Sequence, residues 1–295
     1  WTITTDAGEV ITRRMTISVA RELDSRLEAL DHAIAALERD SLERSTARAA
    51  LRTCRSLTRS RAPETDLPGA RLLREAEAAV ACAAQGDRYY GSDRPGEFWL
   101  RVPADGRSVA CRVLVPRSDP AEPPPLVIAL HGAGGSENLF FDGEGGLVPQ
   151  ACASRGWLLV APRSTPVGTP DLPTLLDAIA TRYAFDAKRV YLIGHSMGAM
   201  QAIANARRAP TRFAAVAALG GGGRIEAGDA ISGVAFQVTV GSLDFARGPA
   251  RALALALERN EADVEFVEVP DVGHVLVLQD ALPRVFAWLD APSKR

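Results

Sequence analysis

The chain has 295 residues, of which 47% are hydrophobic and 24% are charged, and its formal net charge is −2. These values are typical of a soluble globular protein, and the length suffices for one large α/β domain and a smaller unit. The charge gives no reason to expect nucleic acid or an anionic membrane as a partner, and no apolar run approaches the roughly 20 residues of a transmembrane helix. Because the first residue is Trp1 rather than Met, we expect a processed or trimmed product, either cytoplasmic or exported after removal of a signal peptide.

Residues 1–90 carry mainly helical patterns, although residues 1–14 show no clear periodicity. Three helices are predicted, at about 17–39, 42–61 and 68–85. The first has an apolar stripe with alternating spacings of four and three, at Leu23, Leu27, Leu30, Ile34 and Leu37. We interpret this segment as an all-α helical unit that packs as a scaffold or cap. A module that forms a homodimer through these helices is the alternative.

The four cysteines do not form a recognisable motif. Cys54, Cys82, Cys111 and Cys152 lack C-x-x-C spacing, which argues against zinc and redox sites, and we predict no metal site. We expect buried free thiols. A disulfide between Cys54 and Cys82 is the alternative, because both fall in neighbouring predicted helices.

Residues 91–295 alternate between strand and helix patterns. Two strands, Phe98–Val102 and Val109–Val115, flank a turn at Ala104–Arg107 and predict an antiparallel hairpin. Six further strands are predicted at Leu126–Leu130, Trp157–Ala161, Val190–Ile193, Ala214–Leu219, Ala235–Val240 and Val264–Val269. Helices are predicted between them, at about 147–154, 172–183, 197–210 and 249–259, and after the last strand at about 282–289. This order predicts an eight-stranded, mostly parallel sheet with an N-terminal antiparallel hairpin and helices on both faces.

Gly194–Gly198 is a G-x-S-x-G motif that follows the fifth strand and precedes a helix-forming stretch. In this context the central Ser196 occupies a sharp turn at a helix N-terminus, where its hydroxyl is exposed for nucleophilic attack. The two glycines allow the strand and the helix to approach each other without a Cβ clash. The motif therefore predicts a nucleophilic serine.

The carboxyl ends of neighbouring strands supply a base and an acid. Open α/β sheets bind ligands at these ends. Asp244 follows the seventh strand and His274 follows the eighth, so the chain order is Ser, Asp, His. An imidazole is needed to take the serine proton, and a buried carboxylate is needed to fix the imidazole tautomer. We therefore predict His274 as the base and Asp244 as the orienting acid.

Other residues were weighed for these two roles. Asp271 is the nearest rival acid, and two further candidates, Asp229 and Glu226, follow the sixth strand. His32 lies in the helical unit and is expected to be solvated. His131 and His195 are expected to support turn geometry.

An oxyanion hole requires two convergent N–H donors. Met197 follows the nucleophile and supplies the first. The glycine-rich loop His131–Ser136, after the third strand, supplies the second. We predict Ala133 as that donor, with Gly134 or Gly132 as the alternative.

His131–Ser136 and Gly194–Gly198, together with Asp244 and His274, resemble the α/β-hydrolase superfamily. The chain is most similar to compact esterases related to dienelactone hydrolases, carboxylesterases and poly(3-hydroxybutyrate) depolymerase-like proteins, over about residues 97–291. The resemblance implies an α/β-hydrolase fold and an acyl-enzyme on Ser196 without any cofactor. Dienelactone hydrolases usually have a cysteine nucleophile, so the serine here argues against that narrow activity.

The predicted function is that of a serine carboxylesterase acting on a small-molecule or polymeric ester. The connection Gly220–Gly233 is short and glycine-rich, which leaves no room for a helical lid. Phe140, Phe141 and Phe245 are predicted to line a substrate pocket. A serine peptidase or acyltransferase could use the same triad, and a non-catalytic binding or assembly protein is the alternative from another class.

Overall fold

The structure is a computed structural model and describes residues 2–6, 8, 10–12, 18–59, 61, 67–104, 106–117, 122–164 and 171–291. The chain divides into two compact units, Trp1–Tyr90 and Gly91–Arg295. Residue 17, where the first helix was predicted to begin, and Asp105 of the predicted hairpin turn lie outside the described residues.

The described residues of the first unit form three helices, α1 (Leu23–Ala35), α2 (Leu42–Thr58) and α3 (Gly69–Ala84). From the predicted apolar stripe, Leu27, Leu30 and Ile34 are buried. The unit is not all-α as predicted, because β1 (Thr2–Thr4) and β2 (Val10–Thr12) form an antiparallel hairpin in the stretch without clear periodicity. Strands of three residues are too short to show the alternation that predicts a strand.

The second unit contains one eight-stranded sheet, whose strands agree closely with the predicted ones. The strands are β3 (Gly96–Ala104), β4 (Arg107–Val115), β5 (Leu126–Leu130), β6 (Leu158–Pro162), β7 (Val190–His195), β8 (Ala215–Leu219), β9 (Ala235–Gly241) and β10 (Asp263–Val269). Their spatial order is β10-β9-β8-β7-β5-β6-β4-β3. Only the pairs β3–β4 and β4–β6 are antiparallel, so β4 alone runs against the other strands. The predicted fold class is confirmed.

In the part of this unit that the structure describes, six α-helices accompany the sheet. They are α4 (Leu139–Asp142), α5 (Leu147–Arg155), α6 (Leu172–Ala180), α7 (Met197–Arg208), α8 (Arg247–Arg259) and α9 (Val277–Leu289). Two short 3-10 turns lie at Gly143–Gly146 and Pro210–Arg212. The last helix begins at Val277 rather than near residue 282, and it continues through Pro283. Burial of its apolar face outweighs the hydrogen bond that the proline cannot donate.

The core lies against the central strands, and every residue of β5 to β9 is buried. One core cluster joins Val127, Ile193 and Ala217 of the sheet to Val285 and Phe286 of α9. Because these strands are parallel, the carboxyl ends of β5, β7, β9 and β10 meet at one edge of the sheet.

Two further predictions bear on the whole chain. All four cysteines are free, so the alternative of a disulfide between Cys54 and Cys82 is wrong. None of the helices that the structure describes combines the length and the apolar character needed to span a bilayer.

Candidate active site

Ser196 occupies the turn between β7 and α7, with φ 56° and ψ −115°. A positive φ is strained for a residue with a side chain, and such strain is typical of functional turns. The Ser196 N–H group donates a hydrogen bond of 2.9 Å to the carbonyl oxygen of Leu219. A Cβ on Gly194 would overlap the carbonyl oxygen of Gly198, and a Cβ on Gly198 would overlap that of Leu130. Both glycines of the motif are therefore required by the close packing of the turn.

His274 links the hydroxyl of Ser196 to the carboxylate of Asp244. Its Nε2 atom lies 2.9 Å from Ser196 Oγ, and its Nδ1 atom lies 2.9 and 3.0 Å from the two carboxylate oxygens. Since a carboxylate only accepts, Nδ1 carries the hydrogen and Nε2 is free to accept the serine hydroxyl proton. The Asp244 side chain has no exposed surface, whereas that of His274 is 19% exposed. The N–H group of Ala246 also donates to Asp244, at 2.8 Å.

The rival carboxylates make other contacts. Asp229 and Glu226 form ion pairs with Arg207, at 2.6 and 2.8 Å. Asp271 lies on the same loop as His274, but it is exposed, and its own N–H group donates to Ser242 Oγ at 2.9 Å. The contact with His274 is made by Asp244.

The loop after β5 is a tight turn around the carbonyl oxygen of Gly132. This oxygen accepts hydrogen bonds from His131 Nδ1 at 2.8 Å and from the Gly135 N–H group at 3.1 Å. Gly134 has a φ of +79°, which explains a glycine at this point of the turn. Because no peptide bond among the described residues is cis, the N–H group of Ala133 points away from that oxygen.

Two elements close to Ser196 each contribute one N–H group that is a candidate oxyanion donor. Met197 is the first residue of α7, where helix N–H groups have no partner in the helix and the helix dipole is positive. The loop after β5 passes close to the serine, because a Cβ on Gly132 would lie 3.2 Å from Ser196 Cβ. Among the described residues, no acceptor takes the N–H group of Met197 or of Ala133. The arrangement can therefore accommodate an oxyanion.

The remaining histidines have different surroundings. His32 is exposed on α1. Both ring nitrogens of His131 are engaged in the loop, because Nε2 accepts the N–H group of Ser164 at 3.0 Å. The ring of His195 is buried, and its Nε2 atom lies 2.9 Å from the backbone oxygen of His274. Burial is the largest influence on the pKa of His195 and lowers it below the ordinary value. Sequence reasoning missed this contact, since 79 positions separate the two residues.

The aromatic residues predicted to line a pocket differ in their surroundings. Phe140 and Phe141 are 3% and 4% exposed and belong to the core, with the guanidinium of Arg112 4.5 Å from the Phe141 ring. We correct their assignment to a pocket, because these side chains are buried in the core cluster. Phe245 is 79% exposed, and its ring centroid lies 4.2 Å from that of His274.

The surface beside the acid and the base is open and apolar. Three more large apolar side chains that are at least half exposed flank Asp244 and His274, namely Leu243, Val275 and Leu276. Exposed loops are expected to be polar. Apolar residues on either side of a candidate acid or base are therefore the sequence signal from which this surface could have been predicted. The connection from β8 to β9, all of it described, contains no helix, as predicted.

Parts of the chain are similar to known proteins. The family model named Esterase, described as "Putative esterase", matches residues 172–224, which include Ser196 and both glycines of its turn. No curated protein sequence matches the chain at a significant level.

Several solved structures share the fold. A thermostable esterase is 24% identical, with a TM-score of 0.51 over 61% of this chain and 55% of its own. A ferulic acid esterase is 18% identical, with a TM-score of 0.56 over 66% of this chain and 96% of its own. The S-formylglutathione hydrolase of Staphylococcus aureus is 14% identical, with a TM-score of 0.55 over 66% and 96% of the two chains. The chain thus spans about 55% of the length of the thermostable esterase, and at these identities the likenesses show the fold.

Proposed function

We propose that this chain is a serine hydrolase that cleaves carboxylic esters through an acyl-enzyme on Ser196. The observation that carries the proposal is the continuous hydrogen-bond chain from Asp244 through His274 to Ser196. These three side chains come from loops after three different strands of one sheet edge. A serine, an imidazole and a buried carboxylate in this order supply the nucleophile, the base and the orienting acid.

In the proposed acylation step, Ser196 Oγ attacks the ester carbonyl carbon while His274 Nε2 takes the hydroxyl proton. The carboxylate of Asp244 stabilises the imidazolium, and its complete burial strengthens this interaction. His274 then transfers the proton to the departing alkoxide, which leaves as the alcohol. Water then attacks the acyl-enzyme while His274 takes its proton. The bond between the acyl carbon and Ser196 Oγ breaks, His274 returns the proton to Oγ, and the carboxylic acid is released.

The N–H groups of Met197 and Ala133 are the proposed donors to the tetrahedral oxyanion, with Gly134 as the alternative to Ala133. The support is that Met197 directly follows the nucleophile, that the backbone of Gly132 lies close to Ser196, and that neither N–H group has an acceptor among the described residues. Preorganised donors of this kind contribute about 2.7–4 kcal/mol each to transition-state stabilisation.

The substrate is proposed to bind on an open surface rather than in a closed tunnel. Phe245 and its neighbours Leu243, Val275 and Leu276 expose apolar area directly beside the base. Apolar patches of this kind on a soluble protein commonly bind ligands or partners. We therefore place the apolar part of a small-molecule or polymeric ester on this surface.

The test is covalent labelling with a fluorophosphonate probe, together with a p-nitrophenyl ester series and a panel of peptides. We expect labelling of the native chain at Ser196, hydrolysis of the esters and loss of both in Ser196→Ala. Labelling that persists in Ser196→Ala would contradict the assigned nucleophile. Cleavage of peptides but not of esters would favour a peptidase, and transfer to an added alcohol in preference to water would favour an acyltransferase.

A further inference from the structure

His195 lies in the middle of the four loops that build the site, although it is no member of the proposed triad. It is the last residue of β7 and directly precedes Ser196. Its ring centroid lies 4.8 Å from that of His274. A Cβ on Gly132 would come within 3.1 Å of its Nδ1 atom, and a Cβ on Gly220 within 3.4 Å of its Nε2 atom. The ring therefore fills the space between the nucleophile turn, the loop after β5, the loop after β8 and the base loop.

The hydrogen bond of this ring fixes its tautomer. Its Nε2 atom lies 2.9 Å from the backbone oxygen of His274, and a carbonyl oxygen only accepts. Nε2 must therefore carry a hydrogen and donate it. The ring is buried, which favours the neutral form over the imidazolium.

We propose that His195 is a positioning residue, which holds the backbone of His274 through its Nε2–H group and so couples the nucleophile turn to the base loop. This inference rests on the proposed function of Ser196 and His274. The two residues at the ends of the bond are the neighbour of the nucleophile and the base itself, so a shift of either loop changes the distance from His274 Nε2 to Ser196 Oγ.

The other backbone contacts of the base loop involve neighbours of His274 rather than its own carbonyl oxygen, and the Val277 N–H group donates to the Gly273 carbonyl oxygen at 3.2 Å. The Leu243 N–H group donates to the Val272 carbonyl oxygen at 3.1 Å, and the Asp271 N–H group donates to Ser242 Oγ at 2.9 Å. These bonds fix the start of the loop. The contact with His195 is made to the carbonyl oxygen of His274 itself, on the residue from which the imidazole extends. A side chain of the same size without a donor would remove this contact.

Two nearly isosteric substitutions separate the hydrogen bond from the packing. Gln places an N–H donor close to the position of His Nε2, whereas Met has similar length and volume but no donor. For His195→Met we expect kcat to fall about 10- to 100-fold with KM changed by less than about threefold, because a displaced base impairs the chemical step more than binding. For His195→Gln we expect kcat within about threefold of the wild type. The rate of fluorophosphonate labelling should decrease in the same variants in which kcat decreases. Each kcat is calculated from the concentration of active sites that the probe labels.

A proton NMR readout is independent of turnover. The Nδ1–H proton of His274, held by Asp244, should give a far-downfield resonance. This resonance should persist in His195→Gln and broaden in His195→Met. If His195→Met does not fold, His195→Asn replaces it, because the shorter amide reaches only the position of Nδ1 on the side of Gly132.

Equal losses in the Gln and Met variants would overturn the positioning role and leave packing as the function of the ring. An unchanged kcat in His195→Met, or a loss confined to KM, would overturn it as well. Failure of the proposed function is distinguishable, because the wild-type chain would then show no labelling at Ser196. That result would remove both proposals together.

Discussion

His274 donates its Nδ1–H group to both oxygens of Asp244, at 2.9 and 3.0 Å, across the ends of β10 and β9. The carboxylate is fully buried and also accepts the Ala246 N–H group, so it is held in one orientation. Two strands that are adjacent in the sheet thus join an acid and a base that are 30 positions apart in the chain.

Asp244→Asn tests this relationship against the rival carboxylate on the base loop. An amide cannot stabilise the imidazolium and favours the wrong tautomer of His274, so we expect kcat to fall about 10⁴-fold. Asp271→Asn is the matched control, because asparagine tolerates the φ of +57° at that exposed position, and its kcat should remain near that of the wild type. Steady-state kinetics with an ester substrate measure kcat for both variants. A large loss in Asp271→Asn with a small loss in Asp244→Asn would reverse the assignment.

Gly198→Ala and Gly248→Ala test the packing of the nucleophile turn. Both glycines are the second residue of a helix, α7 and α8 respectively. Helix propensity alone would make either substitution stabilising by about 0.5–1 kcal/mol. We expect this gain only at Gly248, where a Cβ meets no atom within 4 Å. At Gly198 the Cβ would overlap the Leu130 carbonyl oxygen, so the free energy of unfolding should fall by about 3 kcal/mol or more.

Urea unfolding of the two glycine variants and the wild type measures both changes in the free energy of unfolding. A stable Gly198→Ala variant with full activity would contradict the tight approach of α7 to β5.

Phe245→Ala tests the open apolar surface beside the base. Removing the ring should lower kcat/KM for long-chain or aromatic p-nitrophenyl esters by about fivefold, equivalent to about 1 kcal/mol of lost apolar contact. For the acetate ester we expect less than about a twofold change, since a short acyl group covers little of the surface. Leu255→Ala is the control, because this exposed apolar residue lies on α8 away from the acid and the base. A uniform loss over all esters would show that Phe245 acts on His274 rather than on the substrate.

His195 should make stability depend on pH. Burial lowers its pKa in the folded protein below the ordinary value of 6.5, so the unfolded chain binds the proton more readily as the pH falls through 6.5. The free energy of unfolding should therefore be independent of this group above about pH 6.5 and should fall below it. His195→Gln removes the titration, and urea unfolding at pH 7.5 and 5 should show a smaller decrease for this variant. An equal decrease in the free energy of unfolding of the wild type and of His195→Gln would contradict the lowered pKa of His195.

The sequence was sufficient to predict which residues form the candidate active site, but not all the contacts between them. The G-x-S-x-G motif identified Ser196. Asp244 and His274 were identified because each follows a strand that is continuously or alternately apolar. Phe140 and Phe141 were assigned wrongly, because a loop sequence does not reveal that a short helix turns these side chains into the core. The hairpin of residues 2–4 and 10–12 was missed, since three-residue strands show too little alternation to predict.

Periodicity and glycine placement by themselves determined the eight strands, their mostly parallel order and the turn that carries Ser196. These are local properties, because apolar runs, turn residues and helix formers act over fewer than about 20 positions. Only the tertiary structure decided which carboxylate contacts the imidazole of His274. It also decided that Asp229 and Glu226 form ion pairs with Arg207, and that His195 contacts the backbone oxygen of His274. Such contacts join residues that are distant in the chain, and they follow from the order and twist of the strands, which the sequence encodes only through the packing of the whole sheet.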